Sequence, residues 1–164
     1  MKHCGRCGTL LQDRDLDKKR LACPKDGCGY VFYNNPLPVV AALVEYDSNH
    51  VILVQNKGWP KSWFGLVTGF IEPKEEPTVG CLRELKEELG LDGKIESLIG
   101  VYNFPQRNEL IIAYHVKATG EIKMDEKELQ AYKLVKFEDI KPWSFGTGHA
   151  VRDWLKKRNV TSKL

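Results

Sequence analysis

From Gly69 to Leu91 the chain reads Gly-Phe-Ile-Glu-Pro-Lys-Glu, seven further residues, then Arg-Glu-Leu-Lys-Glu-Glu-Leu-Gly-Leu. The tract from about Pro77 to Leu89 has a helical period. Pro77 sits where a first turn tolerates proline, and Gly90 sits where a helix C-cap favours glycine. On such a helix Glu84 and Glu88 stand one turn apart on one face, with Glu87 beside them. Cys81, Leu85 and Leu89 form a neighbouring apolar stripe, with Val79 and Leu82 close by. One face of the helix can therefore pack on a sheet while another projects three carboxylates into a cleft.

Like charges one turn apart cost a helix about a few tenths of a kcal/mol per pair. A divalent cation removes that repulsion, and carboxylate oxygens are the hard ligands that Mg2+ or Mn2+ prefers. Taken alone, Glu-Leu-Lys-Glu-Glu also reads as a solvated helix face, the usual fate of a charge run. Arg83 lies four residues before Glu87 and can fork onto the Glu75 carboxylate across the loop. We read that pair as architecture that fixes the loop on the helix.

The full spacing, G-x5-E-x7-R-E-U-x-E-E-x-G-U with U a bulky aliphatic, resembles the Nudix box of hydrolases that cleave a diphosphate joined to another group X. All its fixed positions are filled here. The resemblance implies an α/β/α sandwich with a mixed sheet. It also implies that Glu84, Glu87 and Glu88 are catalytic and hold Mg2+ or Mn2+. Gly69 would let the loop turn beside them, and the Thr68 carbonyl would join the metal shell. Glu75, Arg83 and Gly90 belong to the architecture of the box.

Four of the five cysteines fall in the first 28 residues: Cys4 and Cys7 with two residues between them, then fifteen residues, then Cys23 and Cys28 with four between them. Paired knuckles with that separation read as a tetrahedral four-cysteine zinc site, here structural because no coordination position is left open. Glycines after Cys7 and Cys28 permit tight turns, and the second knuckle is two residues longer than the common form. Two disulfides are the alternative. They need an oxidising compartment, and the N-terminus has no apolar run of a secretory leader, so a cytoplasmic setting is expected. His3 is read as a surface histidine, and Cys81, on the apolar stripe, as a buried inert thiol.

The 164 residues, 42% hydrophobic, suit one globular domain with a small appendage, and no apolar run approaches a membrane span. A net charge of +3 does not demand a nucleic-acid partner. Basic residues cluster at Lys2, Arg6, Arg14, Lys18, Lys19 and Arg20 and again at Lys156, Lys157 and Arg158. They read as solvated surface that could attract phosphate at long range. Punctuation divides the chain into a ribbon over 1–33, a proline-bearing linker over 34–38 and a larger domain over 39–160, which the resemblance implies is the Nudix hydrolase domain. Within the last part, strands are expected at Val39–Tyr46, Val51–Gln55, Ile95–Tyr102, Leu110–Val116 and Tyr132–Phe137, with a closing helix at His149–Lys157.

This order of parts is similar to the NADH pyrophosphatase branch and its ribbon-bearing relatives, which hydrolyse FAD or ADP-ribose; homodimers are common there. That branch carries Ser-Gln-Pro-Trp-Pro-Phe-Pro-Gln-Ser downstream of the box, where this chain has Ile99-Gly-Val-Tyr-Asn-Phe-Pro-Gln-Arg107. Phe104, Pro105 and Gln106 agree, and Tyr102 stands for Trp. Tyr102, Phe104 and Gln106 are thus candidate substrate contacts, with core packing the alternative for the two aromatics. Glu128 matches a further metal-binding and catalytic glutamate of the branch, with Glu126 and Glu109 close enough to exchange for it. His115 reads as a packed or edge histidine. Trp59, Trp63 and Phe64 read as core before the box, one of them near substrate.

The expected function is divalent-metal-dependent hydrolysis of a small-molecule nucleoside diphosphate linked to X, such as FAD, ADP-ribose or NADH, to two monophosphates. The alternatives are a nucleotide-sensing module with a nucleic-acid- or protein-binding ribbon, and removal of nucleotide caps from RNA.

Overall fold

The computed structural model describes residues 2–15 and 20–161, so Lys18 and Lys19 of the basic cluster lie outside the described residues. The chain forms two compact units, Met1–Pro36 and Leu37–Leu164.

The first unit is a three-stranded antiparallel sheet of β1 (Gln12–Asp15), β2 (Arg20–Ala22) and β3 (Val31–Phe32). Its strands are too short to enclose a core, and among the described residues its buried apolar side chains are Cys4 and Leu11. A unit this small needs a staple besides its apolar contacts.

The second unit is built on a mixed six-stranded sheet. Its strands are β4 (Leu37–Tyr46), β5 (His50–Asn56), β6 (Val67–Phe70), β7 (Asp92–Phe104), β8 (Glu109–Thr119) and β9 (Leu129–Lys136). The order across the sheet is β7-β8-β4-β5-β9, and β6 pairs with the first half of β4, Val40 opposite Gly69 and Ala41 opposite Thr68. Only β4 and β8 run parallel, from Leu37 beside Glu109 to Tyr46 beside Ala118.

Central strand β4 is apolar at every position from Val39 to Val44 because both faces of the sheet are covered. Val40, Ala42 and Val44 face helix α1 (Pro77–Leu89), packing with Cys81, Leu85 and Leu89. Ala41 and Leu43 face helix α2 (Gly148–Thr161), packing with Ala150, Val151 and Trp154. The period of two in the strand meets the period of 3.6 in each helix, giving an α/β/α sandwich with two apolar layers.

Helix α1 has the expected bounds. Pro77 occupies the first turn, and Gly90, at φ 69°, donates its N–H to the Lys86 carbonyl at 2.9 Å. Strands β7 and β8 are longer than the sequence suggests. Their pairing runs on to Phe104 opposite Glu109, so most of the expected 103–108 loop shrinks to a tight 3-10 turn, Pro105–Arg107. Asn108 closes that turn at φ 52°, a conformation asparagine tolerates better than most residues. Strand β9 begins at Leu129, three residues before the expected start, because it follows β5 as far as Asn56. No helix among the described residues is long and apolar enough to cross a membrane.

Candidate functional site

The end of the sheet where β4 and β8 begin, together with β6 and helix α1, carries the charged residues. Glu84 leaves α1 against the backbone of β6, so close that a Cβ on Gly69 would collide with the Glu84 carboxyl group. Gly69 is therefore required by close approach rather than by an unusual backbone angle.

Arg83 is the clamp of the loop between β6 and α1. Its Nε donates to Glu75 Oε1 at 2.8 Å, and its Nη2 donates to Glu75 Oε2 and to the Phe70 carbonyl, both at 3.0 Å. Its Nη1 donates to Glu84 at 2.8 Å and to Glu87 at 3.0 Å. All five N–H groups are engaged. The hydrogen bond from Arg83 holds the Glu75 carboxyl at about 2. Glu75 also accepts the Glu72 backbone N–H at 2.9 Å and lies over Gly80, where a Cβ would come within 2.8 Å of its Oε2. Gly80 carries no motif signal in the sequence; its place opposite the half-buried Arg83–Glu75 fork is what demands a small residue.

Glu84, Glu87, Glu88 and Glu128 line one cleft of about 420 Å3, together with Thr68, Gly69, Glu72, Arg83, Asn56 and Glu109. Glu126 is not on its wall. Glu88 is 2% exposed, and its Oε2 is buried without a hydrogen-bond partner, as is Asn56 Oδ1. Burial, and then the neighbouring Glu84 and Glu128 carboxylates, pushes the Glu88 carboxyl up to about 8. Burial also raises Glu84 above the ordinary range. Hard oxygen donors along one cleft, with orphaned buried oxygens and mutually repelling charges, suit a divalent cation such as Mg2+ or Mn2+.

A second cavity of about 580 Å3 adjoins the first and shares Val39, Trp59, Thr68, Arg107 and Glu109 with it. Its wall is rich in aromatic rings, Trp59, Trp63, Phe64, Phe104, Trp143 and Phe145, with Lys133, Asp139 and Lys141 among them. Trp63 and Phe145 are 50% and 43% exposed, with ring centroids 5.7 Å apart. Lys133 Nζ lies 4.2 Å from the centre of the Phe64 ring. The loop bearing Trp59 and Trp63 is pinned by Gln55, which donates to the Pro60 and Trp63 carbonyls at 2.8 and 3.1 Å. A flat, partly apolar group fits here, next to the carboxylates.

Of the three candidate substrate contacts, only Phe104 lines this cavity. Tyr102 donates its hydroxyl to Asp153 at 3.1 Å and stacks on His149, packed toward α2. Gln106, exposed in the turn, lines neither cavity. Glu109, the expected alternative to Glu128, lines the cleft beside it, whereas Asn56, Arg107, Trp143 and Phe145 carry no motif signal as site residues; Arg107 is the last residue of the turn that follows Phe104. His115 is paired with Glu45 at 2.9 Å and edge-on to Trp154, away from both cavities. Burial pushes the Cys81 thiol up to about 12, as suits an inert core residue.

In the first unit, Cys4, Cys7, Cys23 and Cys28 bring their Sγ atoms within 4.8 Å of one another. Cys7 lies 3.5 Å from Cys23 and 3.7 Å from Cys28, and Cys4 lies 3.7 Å from Cys28. All four are free thiols, too far apart for disulfides. A tetrahedron of thiolates about 2.3 Å from a central ion has edges close to these separations. The Arg6 backbone N–H points to Cys4 Sγ at 3.4 Å, and Gly8 and Gly29 take the left-handed turns after the knuckles at φ 73° and 65°. The residues fit a structural zinc ion.

The clamped loop and the acidic face of α1 lie on a single mixed sheet packed between two helices. Residues 35–154 match the model of the NUDIX domain, and the chain belongs to that family. It is 30% identical over 158 residues to the ADP-ribose pyrophosphatase of Methanocaldococcus jannaschii, covering 92% of this chain and 85% of that protein. It is 27% identical over 142 residues to the NAD-capped RNA hydrolase NudC of Pseudomonas aeruginosa. That match covers 86% of this chain but only 50% of the relative's length. The crystal structure of a NUDIX hydrolase from Nitrosomonas europaea superposes with a TM-score of 0.77 at 24% identity, covering 98% of this chain and 93% of that one. At that identity the likeness shows the fold.

Proposed function

We propose that the second unit hydrolyses a nucleoside diphosphate joined to a group X, releasing two monophosphates. The observation that carries this reading is that Glu84, Glu87, Glu88 and Glu128 line one cleft, in which a carboxylate oxygen of Glu88 is buried without a hydrogen-bond partner. The reading assigns Mg2+ or Mn2+ to these four glutamates, with the Thr68 carbonyl as a further donor. Such an ion screens phosphate charge, polarises phosphorus and lowers the pKa of bound water. The chain's own groups do the rest: the Arg83–Glu75 clamp fixes the loop under the phosphates, and a carboxylate of the acidic set accepts the proton of the attacking water. The adjoining aromatic cavity takes the nucleoside, whose base has the flat face that such walls prefer. Zinc is assigned to Cys4, Cys7, Cys23 and Cys28.

The name of the Methanocaldococcus relative makes ADP-ribose the first substrate to test, with FAD and NADH beside it. FAD and ADP-ribose should be cleaved no worse than NADH, because the motif at 99–107 is eroded. The purified protein with Mg2+ or Mn2+ should release AMP from at least one of the three. No monophosphate from any of them, nor from diadenosine polyphosphates, would overturn the reading.

A second reading, removal of an NAD cap from RNA, is favoured by the name of the Pseudomonas relative. The charge distribution agrees with it. Residues 1–36 hold seven lysines and arginines against four aspartates, which accounts for the whole net charge of +3. Rates on NAD-capped RNA that fall steeply with salt, while those on free NAD do not, would support it; equal salt dependence would exclude it.

A further inference from the structure

The two cavities meet at a seam formed by Val39, Trp59, Thr68, Arg107 and Glu109. A nucleotide with its nucleoside among the aromatics and its diphosphate over the carboxylates must cross that seam. The acidic cleft is lined by six glutamates but by only two cations, Arg83 and Arg107. Arg83 has no donor to spare, since Glu75, Glu84, Glu87 and the Phe70 carbonyl take all five.

Arg107 is in a different state. Its side chain is 60% exposed, and among the described residues its ion-pair partner is Glu109, with Nε 3.0 Å from Oε1. Glu109, 9% exposed, opens β8 directly after the Pro105–Arg107 turn and steers the guanidinium from a fixed base. The two Nη groups carry four further N–H donors in a planar fork, the shape that matches a phosphate.

We infer that Arg107 is a specificity-determining residue that binds the phosphate on the nucleoside side of the diphosphate, using its Nη edge while Glu109 holds Nε. The inference rests on the reading of the two cavities given above. It assigns to Arg107 the discrimination between a nucleotide and a bare nucleoside. It also explains how a cleft so rich in carboxylates can accept an anion beside Glu109.

Equilibrium binding of AMP, ADP and adenosine, measured by calorimetry without turnover, tests this on the wild type, Arg107→Ala and Arg107→Lys. The expected result is a loss of about tenfold or more in AMP and ADP affinity for Arg107→Ala, the scale of a charge-assisted hydrogen bond. Adenosine affinity should stay within about twofold on the same basis, and Arg107→Lys should recover part of the loss because it keeps the charge without the fork. Equal losses for adenosine and AMP would make Arg107 a wall of the nucleoside cavity and overturn the inference. Unchanged AMP and ADP binding in Arg107→Ala would overturn it as well. Binding of all three ligands that follows the expected pattern without hydrolysis of any diphosphate would sustain this inference while removing the proposed activity.

Discussion

Replacing Glu88 by Gln should abolish metal-supported function while making the metal-free protein more stable in alkali. Glu88 is buried, lacks a partner for Oε2 and faces Glu84, Glu128, Asp125 and Glu87, so its carboxyl is raised from 4.5 to about 8. The folded state therefore holds this proton more tightly than the unfolded chain does. Between pH 4.5 and about 8 the folded protein binds more protons, and its stability falls as pH rises through that window. At about 1.4 kcal/mol for each pH unit, the cost above the window has an upper bound of about 5 kcal/mol. Relaxation and water entry reduce such costs in real proteins, so about 2 kcal/mol is the working figure. In a chain of this size that corresponds to roughly 4–8 °C in Tm. Thermal unfolding should be followed at pH 5 and pH 9 in Mg2+-free buffer without chelator, so that the zinc assigned to the cysteine cluster is not stripped. Glu88→Gln should melt several degrees above the wild type at pH 9 and close to it at pH 5. Added Mg2+ should raise the wild type and leave the variant unmoved. A variant less stable than the wild type at pH 9, or an offset equal at both pH values, would refute the argument that Glu88 is a strained, cation-demanding carboxylate.

Two further outcomes follow from particular contacts. Gly69→Ala places a methyl group inside the space of the Glu84 carboxyl group, so Glu84 must leave its position. Overpacking of this kind costs about 1–3 kcal/mol, and kcat should fall by at least about tenfold, read by steady-state kinetics beside a melting curve. Cys4→Ser removes a buried member of the sulfur cluster. Elemental analysis should show loss of about one zinc per chain, and the first unit should lose its amide-exchange protection while the second keeps its own. Retention of the metal would contradict the assignment.

Helix α1 was legible in full because three local signals agree: the apolar stripe of Cys81, Leu85 and Leu89, proline at its start and glycine at its end. Strand β4 was legible for a related reason, since an unbroken apolar run between turn residues suits a strand covered on both faces. Strand ends were less so. Asn103 and Asn108 look like loop residues, yet Asn103 pairs opposite Leu110 in a hairpin whose register depends on two strands at once. The acidic cleft could be anticipated because three of its carboxylates come from one helix. The aromatic cavity was legible only in part: Phe104 and the Trp59–Phe64 tract carried a signal, but Trp143 and Phe145 lie on a distant segment brought beside them only by folding. Tyr102 shows the limit of motif matching: two residues from Phe104 on the same strand, it spends its hydroxyl on Asp153.

The central claim is that the acidic face of α1 supports metal-dependent cleavage of a diphosphate. It is tested most directly by following AMP and ribose 5-phosphate formed from ADP-ribose as Mg2+ is titrated, for the wild type and for Glu84→Gln. The wild type should be silent without added divalent ion, saturate with Mg2+ and yield the two products in equal amounts. Glu84→Gln should lose at least about a hundredfold in kcat, the scale of removing a principal metal contact or its charge stabilisation, with its fold unchanged by circular dichroism. Near-wild-type turnover by Glu84→Gln at saturating Mg2+, or cleavage by the wild type that needs no divalent ion, would contradict the account.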